Sequence, residues 1–321
     1  MRRVLLLFAA MAAAGTADAA ELTVAKAGAG AYRSVQAAID ALPDSGGDIA
    51  ITPGTYREKI VVRKPRVHLR GTGAAPGEVV LVYGDSSLSA GGTFRSATLD
   101  ASGDDFHLTN LTVQNDWWLD PAHPPSQAVA LFVRGDRDVL RRIRLIGHQD
   151  TLYAAKLPGA RVARQYFRDC YVEGHVDFIF GNAKAYFDRC TIHGVAAPEV
   201  MFTAQSRNAA DEDSGYVFDH CVLTADAGAG EISIGRAWRR YASVVFLDTN
   251  IRAPVIKAGW REWTPGETDT FRTAYFAEYR STGPGASPRT REPLSHQLTA
   301  GEARQWRLAA FFKGDLGWLR R

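Results

Sequence analysis

A four-residue signature recurs six times between residues 110 and 251, and it limits the chain more than any other feature. It reads Asn110-Leu-Thr-Val, Arg142-Ile-Arg-Leu, Asp169-Cys-Tyr-Val, Arg189-Cys-Thr-Ile, His220-Cys-Val-Leu and Asp248-Thr-Asn-Ile. Each copy is a polar residue, a small or apolar one, then an apolar alternation. The second positions are 111, 143, 170, 190, 221 and 249, so the steps are 32, 27, 20, 31 and 28 residues. Strands that keep their signature while the spacing varies are strands that stack, with the length differences absorbed in loops. Short β-type runs fill the rest from Asp48 onward, without a long helical period between them and without the Asn-Gly turns of hairpins. The fold expected is all-β: a single-stranded right-handed parallel β-helix.

The two ends of the chain depart from this pattern. Met-Arg-Arg followed by an apolar run from Val4 to Ala14 and Ala17-Asp18-Ala19 reads as a secretory leader, residues 1–19, too short to span a membrane. The rest, 20–321, reads as one catalytic domain exported to the periplasm or the medium. Val35, Ala38, Ile39 and Leu42 recur at helical spacing after Ser34, an N-cap residue type, so a short N-terminal helix should cap the solenoid. Ala300–Phe312 repeats that spacing and predicts a C-terminal helical extension packed back along the solenoid and over its open end. The formal charge of +3 becomes +2 without Arg2, Arg3 and Asp18. That argues against nucleic acid, and no later segment suits a membrane.

Cys170, Cys190 and Cys221 all occupy the second signature position. Stacked neighbours about 5 Å apart suit a disulfide, and the shortest step pairs Cys170 with Cys190, leaving Cys221 reduced. Three buried thiols are the competing reading.

Two segments share a finer pattern: Gly147-His-Gln-Asp150 and Gly174-His-Val-Asp177. Equivalent places in neighbouring coils put Asp150 beside Asp177, and His148 beside His175. A lone Asp more often caps a turn, but two stacked carboxyls about 5 Å apart repel by roughly 3 kcal/mol, or about two pKa units. One then keeps its proton as an acid while the other serves as nucleophile or base.

Gly54-Thr-Tyr-Arg-Glu58, Gln127-Ala-Val, Gln149-Asp-Thr-Leu152, Asp177-Phe-Ile-Phe-Gly181 and Ile234-Gly-Arg-Ala-Trp238 resemble, in order, the signature blocks of pectin methylesterases. Thr93–Thr98, Phe202–Gln205 and Ser281–Ala286 resemble further family segments, so the likeness runs over essentially the whole mature chain. It implies Asp177 as nucleophile, Asp150 as general acid and then base, Gln127 and Gln149 as oxyanion donors, and Arg236 as the partner that keeps Asp177 ionised. It also implies sugar contacts from Thr93, Gln127, Arg236, Trp238 and Trp263, with Tyr153, Phe180 and Phe202 lining the groove. The expected substrate is methyl-esterified homogalacturonan, acted on by a monomer with no cofactor and no metal. Ala237 stands where the family has Pro, which suggests a looser loop, and Lys156–Arg161 looks like an added loop beside the cleft.

Rival readings are a serine hydrolase built on Gly84-Asp-Ser86 with Asp120 and His123, a polysaccharide-cleaving β-helix enzyme, an esterase for another acyl group, and a non-catalytic sugar binder. No Gly-x-Ser-x-Gly elbow supports the first.

Overall fold

The polar residue that opens each signature is a corner. In the computed structural model, which describes residues 21–320 except 30, 160, 161, 265, 267 and 268, it lies in the left-handed region: φ is 56° at Asn110, 50° at Arg142, 53° at Asp169 and Arg189, 54° at His220 and 46° at Asp248. That conformation is costly for residues with a Cβ. The stack offsets the cost, because the corner N–H remains in the ladder: Arg142 N donates to Arg168 O at 3.0 Å, Asp169 N to Asp188 O at 3.0 Å and Arg189 N to Asp219 O at 2.9 Å.

Each coil contributes one strand to each of three parallel sheets in turn, here called A, B and C, of eleven, eight and eight strands among the described residues. The corner joins sheet A to sheet B. For the coil carrying Asp150 the strands are Asp138–Arg141, Arg144–Ile146 and Leu152–Ala154; for the coil carrying Asp177 they are Arg164–Arg168, Tyr171–Gly174 and Ile179–Gly181. This is the right-handed parallel β-helix that the uneven steps imply.

The core forms as like side chains stack in register. Phe167, Phe187, Phe218 and Phe246 occupy successive strands of sheet A, with ring centroids 4.5, 4.5 and 4.7 Å apart and planes within 12°. Parallel strands run about 4.8 Å apart, close to the optimum for near-parallel aromatic faces. Val35–Ala41 is a helix with Ser34 as its N-cap, accepting from Ala37 N. Its buried Val35, Ala38 and Ile39 join the core beside the first strands. The residues read as a leader lie outside the described part. No helix among the described residues is long and apolar enough to cross a membrane.

Four expectations need correction. The Cys170–Cys190 bridge is not formed: all three cysteines are free and buried. Side chains stacked at strand spacing hold their Cβ atoms farther apart than the roughly 3.8 Å a disulfide favours. Each thiol instead faces a backbone carbonyl of the preceding coil, Cys170 that of Leu140, Cys190 that of Phe167 and Cys221 that of Phe187. The C-terminal segment is two short helices, Ala300–Ala303 and Leu308–Phe311, broken at Arg307, whose ψ of 153° is extended. It lies along the outer face of sheet A rather than over an open end: Ala303, Phe311, Phe312 and Trp318 cover Val139, Tyr166, Tyr186 and Val217. Ala237 is in a strand, Gly235–Ala237, and is buried, rather than in a loop. Phe202 points into the core against Phe178.

Candidate active site

Sheet C presents an outward row of residues in register: Asp100, Phe132, Tyr153, Phe180, Ala204 and Arg236 on successive strands. Phe132, Tyr153 and Phe180 touch in series at 4.7 Å between centroids. Asp150 and Asp177 stand at the mouth of this row, each two residues before its strand. Leu152 pairs with Ile179, so the two aspartates occupy equivalent places in adjacent coils.

The turns that deliver them explain the shared Gly. A Cβ at Gly147 would lie 2.7 Å from the Thr151 hydroxyl, and one at Gly174 would lie 2.3 Å from the Phe178 Cβ and 2.4 Å from the His148 carbonyl. Asp150 and Asp177 themselves take left-handed backbone, φ 64° and 53°, a conformation Asp tolerates better than most residues. The Asp150 N–H donates to Val176 O at 3.2 Å, fixing one turn on the next.

The two carboxyls are equally buried, 8 % and 6 % exposed, but differently partnered. Arg236 grips Asp177 with two parallel bonds, Nε to Oδ1 at 2.9 Å and a terminal nitrogen to Oδ2 at 2.6 Å. It reaches from two strands away across Ala204, whose single methyl leaves the path open, and its guanidinium lies 4.2 Å from the Trp263 ring centroid. Among the described residues Asp150 has no such partner. Burial pushes its carboxyl well above the ordinary range, the neighbouring Asp177 pushes it further, and Arg236 only partly opposes. Burial raises Asp177 as well, but the Arg236 hydrogen bonds and charge act against it. The first proton lost from the pair is therefore that of Asp177, and Asp150 stays an acid.

Gln127 and Gln149 line the same cavity, and among the described residues neither side-chain amide is spent on a protein acceptor. Thr93, Phe180, Trp238 and Trp263 complete the lining as expected, while Tyr153 lies one coil along, behind Phe180 and beside the loop around Lys156–Gly159. That loop does flank the cleft, tied by Lys156 to Glu212 at 2.9 Å. Phe202 is absent from the lining, for the reason given above. Phe94 is a lining residue that the sequence reading missed: it is 54 % exposed and leans on Tyr153 at 5.2 Å. Its sequence signals are an apolar side chain after Gly91-Gly92 and its place inside the family-like segment Thr93–Thr98. The serine-hydrolase alternative fails on geometry, since Ser86 is fully buried and its hydroxyl caps a helix by accepting from Leu88 and Ser89 N–H. His148 and His175 do lie side by side, their rings edge to face at 5.6 Å and 67°, and burial lowers both, His175 to about 4.

The site therefore brings together an arginine-held carboxylate, a second carboxyl without that partner among the described residues, two amide side chains and an aromatic groove. The sequence profile of the Pectinesterase family matches residues 21–315. Pectinesterase QRT1 of Arabidopsis thaliana is 35 % identical over 310 residues, covering 93 % of this chain and 78 % of its own. Pectinesterase 31 of the same plant is 36 % identical, covering 87 % and 88 %. Among solved structures, the pectin methylesterase from carrot superposes with a TM-score of 0.82 at 28 % identity, over 94 % of this chain and 95 % of that one.

Proposed function

We propose residue roles from one premise: the chain belongs to the pectinesterase family and is a carboxylic-ester hydrolase that demethylesterifies pectin. Asp177 is the nucleophile, and the observation that carries this is the asymmetry of the acid pair. The carboxylate held ionised by Arg236 attacks the C6 carbonyl carbon of a methylated galacturonate. The carbonyl oxygen takes the electron pair and is met by the amide N–H groups of Gln127 and Gln149. Asp150 gives its proton to the methoxy oxygen, the C–O bond breaks, and methanol leaves an anhydride between Asp177 and the sugar acid. Asp150, now a carboxylate, takes a proton from water as that water attacks the acyl carbon. The free acid departs, Asp177 is again a carboxylate and Asp150 again protonated.

The Phe94, Phe180, Trp238 and Trp263 rings give the sugar ring apolar faces to lie against. The leader-like start fits an exported enzyme working on a polymer too large to enter a cell.

The test is methanol release from methylated pectin with no gain in reducing ends, followed by the two acid variants on an activated ester with a good leaving group. Asp177→Asn should give no burst and no turnover. Asp150→Asn should acylate once and stall, since an activated leaving group needs no proton but deacylation needs a base. A burst from Asp177→Asn and none from Asp150→Asn would exchange the roles.

A further inference from the structure

Three turns bring the reacting groups to the cavity, and one side chain outside the cavity touches all three. Trp118 is half-buried on the loop that leads to Gln127. Its Nε1–H donates to the Ser126 carbonyl at 2.8 Å, one residue before Gln127. Its ring stacks on His148, 5.6 Å away with planes 15° apart, one residue before Gln149 and two before Asp150. The same ring meets the ring of His175 edge-on at 4.7 Å and 82°, two residues before Asp177.

Backbone bonds hold the end that carries the glutamine, Ser87 N to Gln127 O at 2.8 Å and Ala128 N to Gln149 O at 3.1 Å, and side chains hold the rest of the loop. Trp117 pins it farther back, donating to the Pro124 carbonyl at 3.0 Å and stacking on His123 at 3.8 Å. Asn115 anchors the loop's start, receiving from Trp117 N at 3.0 Å and donating to the Val129 carbonyl at 2.9 Å. Between Pro124 and the strand that follows, the Trp118 indole is the side chain that reaches the backbone next to Gln127. Among the described residues the carboxamide of Gln127 has no protein acceptor to hold it, so its aim depends on where its backbone is held.

We propose that Trp118 is a positioning residue for the ester hydrolysis: through the Ser126 carbonyl it aims the Gln127 amide, and through His148 and His175 it keeps that amide in register with the acid pair. The inference rests on the oxyanion role given to Gln127 above. An oxyanion donor acts on charge that develops only in the transition state, so misplacing it lowers kcat and leaves KM nearly unchanged. A side chain that merely supports the fold, or that touches sugar, has no reason to produce that split.

A double-mutant cycle tests this. Trp118→Phe keeps one aromatic ring on the side of both histidines and removes the pyrrole N–H that reaches Ser126. It should lower kcat on methylated pectin by about 10-fold with KM within about 2-fold, a fraction of the roughly 10²–10³-fold effect of losing an oxyanion donor outright. In a Gln127→Ala background the same change should cost less than about 2-fold, because the group it aims is gone. Equal losses in both backgrounds, a rise in KM alone, a wild-type kcat, or a melting temperature far below wild type would each overturn the proposal. Wild-type activity in Gln127→Ala alone would overturn the oxyanion reading itself, and so is distinguishable from failure of the Trp118 step.

Discussion

Two stacked aspartate pairs lie on different faces of the molecule, and the contrast between them shows what makes one reactive. On sheet A, Asp188 and Asp219 are direct register partners on adjacent strands. Each is 9 % exposed, nearly as buried as Asp150 and Asp177. Yet each has a hydroxyl and a cationic donor. Asp188 accepts from the Tyr166 hydroxyl at 2.6 Å and from Arg189 at 3.0 Å. Asp219 accepts from the Tyr186 hydroxyl at 2.5 Å and from Arg307 at 2.6 Å, with the His220 ring at 2.8 Å. Asp219, His220 and Asp248 have their ligating atoms within 4.8 Å of one another, as a cation site would, but Arg307 already bridges the two carboxylates. At the mouth of sheet C, Arg236 serves Asp177, and among the described residues Asp150 has no such partner. Stacking and burial are common to the two faces; the withheld counter-charge is what differs.

Removing the counter-charge of Asp177 should give the largest effect. Arg236→Gln loses the bidentate pair, so the Asp177 carboxyl rises further and its ionised fraction falls off at higher pH. The acid limb of kcat/KM against pH should move upward, with a loss of at least about 10²-fold at mildly acidic pH that shrinks as pH rises. A loss uniform across pH would mean that Arg236 orients the site without setting the charge of Asp177. A smaller effect is expected on sheet A. Asp219→Asn leaves Arg307 and Tyr186 poorly met and should lower unfolding stability by about 1–3 kcal/mol in urea while methanol release stays within about 2-fold. A large drop in activity there would erase the distinction between the two faces.

The smallest effect has the opposite sign. Asp150 is raised in the folded state, so its burial costs nothing below its unfolded pKa of about 3.9 and costs progressively more as pH climbs through the folded value. Asp150→Asn should therefore raise the melting temperature by a few degrees at pH 8 and leave it unchanged near pH 3. An enzyme variant that is inactive yet more stable would place the strain of the fold in that carboxyl. Equal melting shifts at both pH values would point to packing instead.

The corner residues and the Asp150–Asp177 register were legible because a parallel solenoid writes its geometry once per coil. The left-handed corner shows as a polar residue, and stacked turns show as Gly-His-x-Asp repeated. By the same logic the Asp188–Asp219 pair was equally legible, each lying two residues before a signature cysteine, but sequence does not show that Arg307 arrives to neutralise it from 88 residues away. Phe202 was misplaced because an aromatic beside a strand start can face either way, and only the register with Phe178 sends it inward. Phe94 and Trp118 lie in loops that occur once and leave no period to read. The helical spacing after Ala300 was real, but the apolar face it marks is divided between two short helices bent to follow sheet A.

The reach of Arg236 across Ala204 also sets an order of events in time. Asp177 and the arginine that grips it are 59 residues apart. A ribosome working at roughly 5–20 residues per second needs about 3–12 seconds to make that stretch. A nascent solenoid winding from its first coil thus assembles both carboxyls before their cation exists. The last coils are more than a lid on a finished catalyst: until they are laid down, the half-built protein has to keep a second proton on its acid pair or leave those turns unwound.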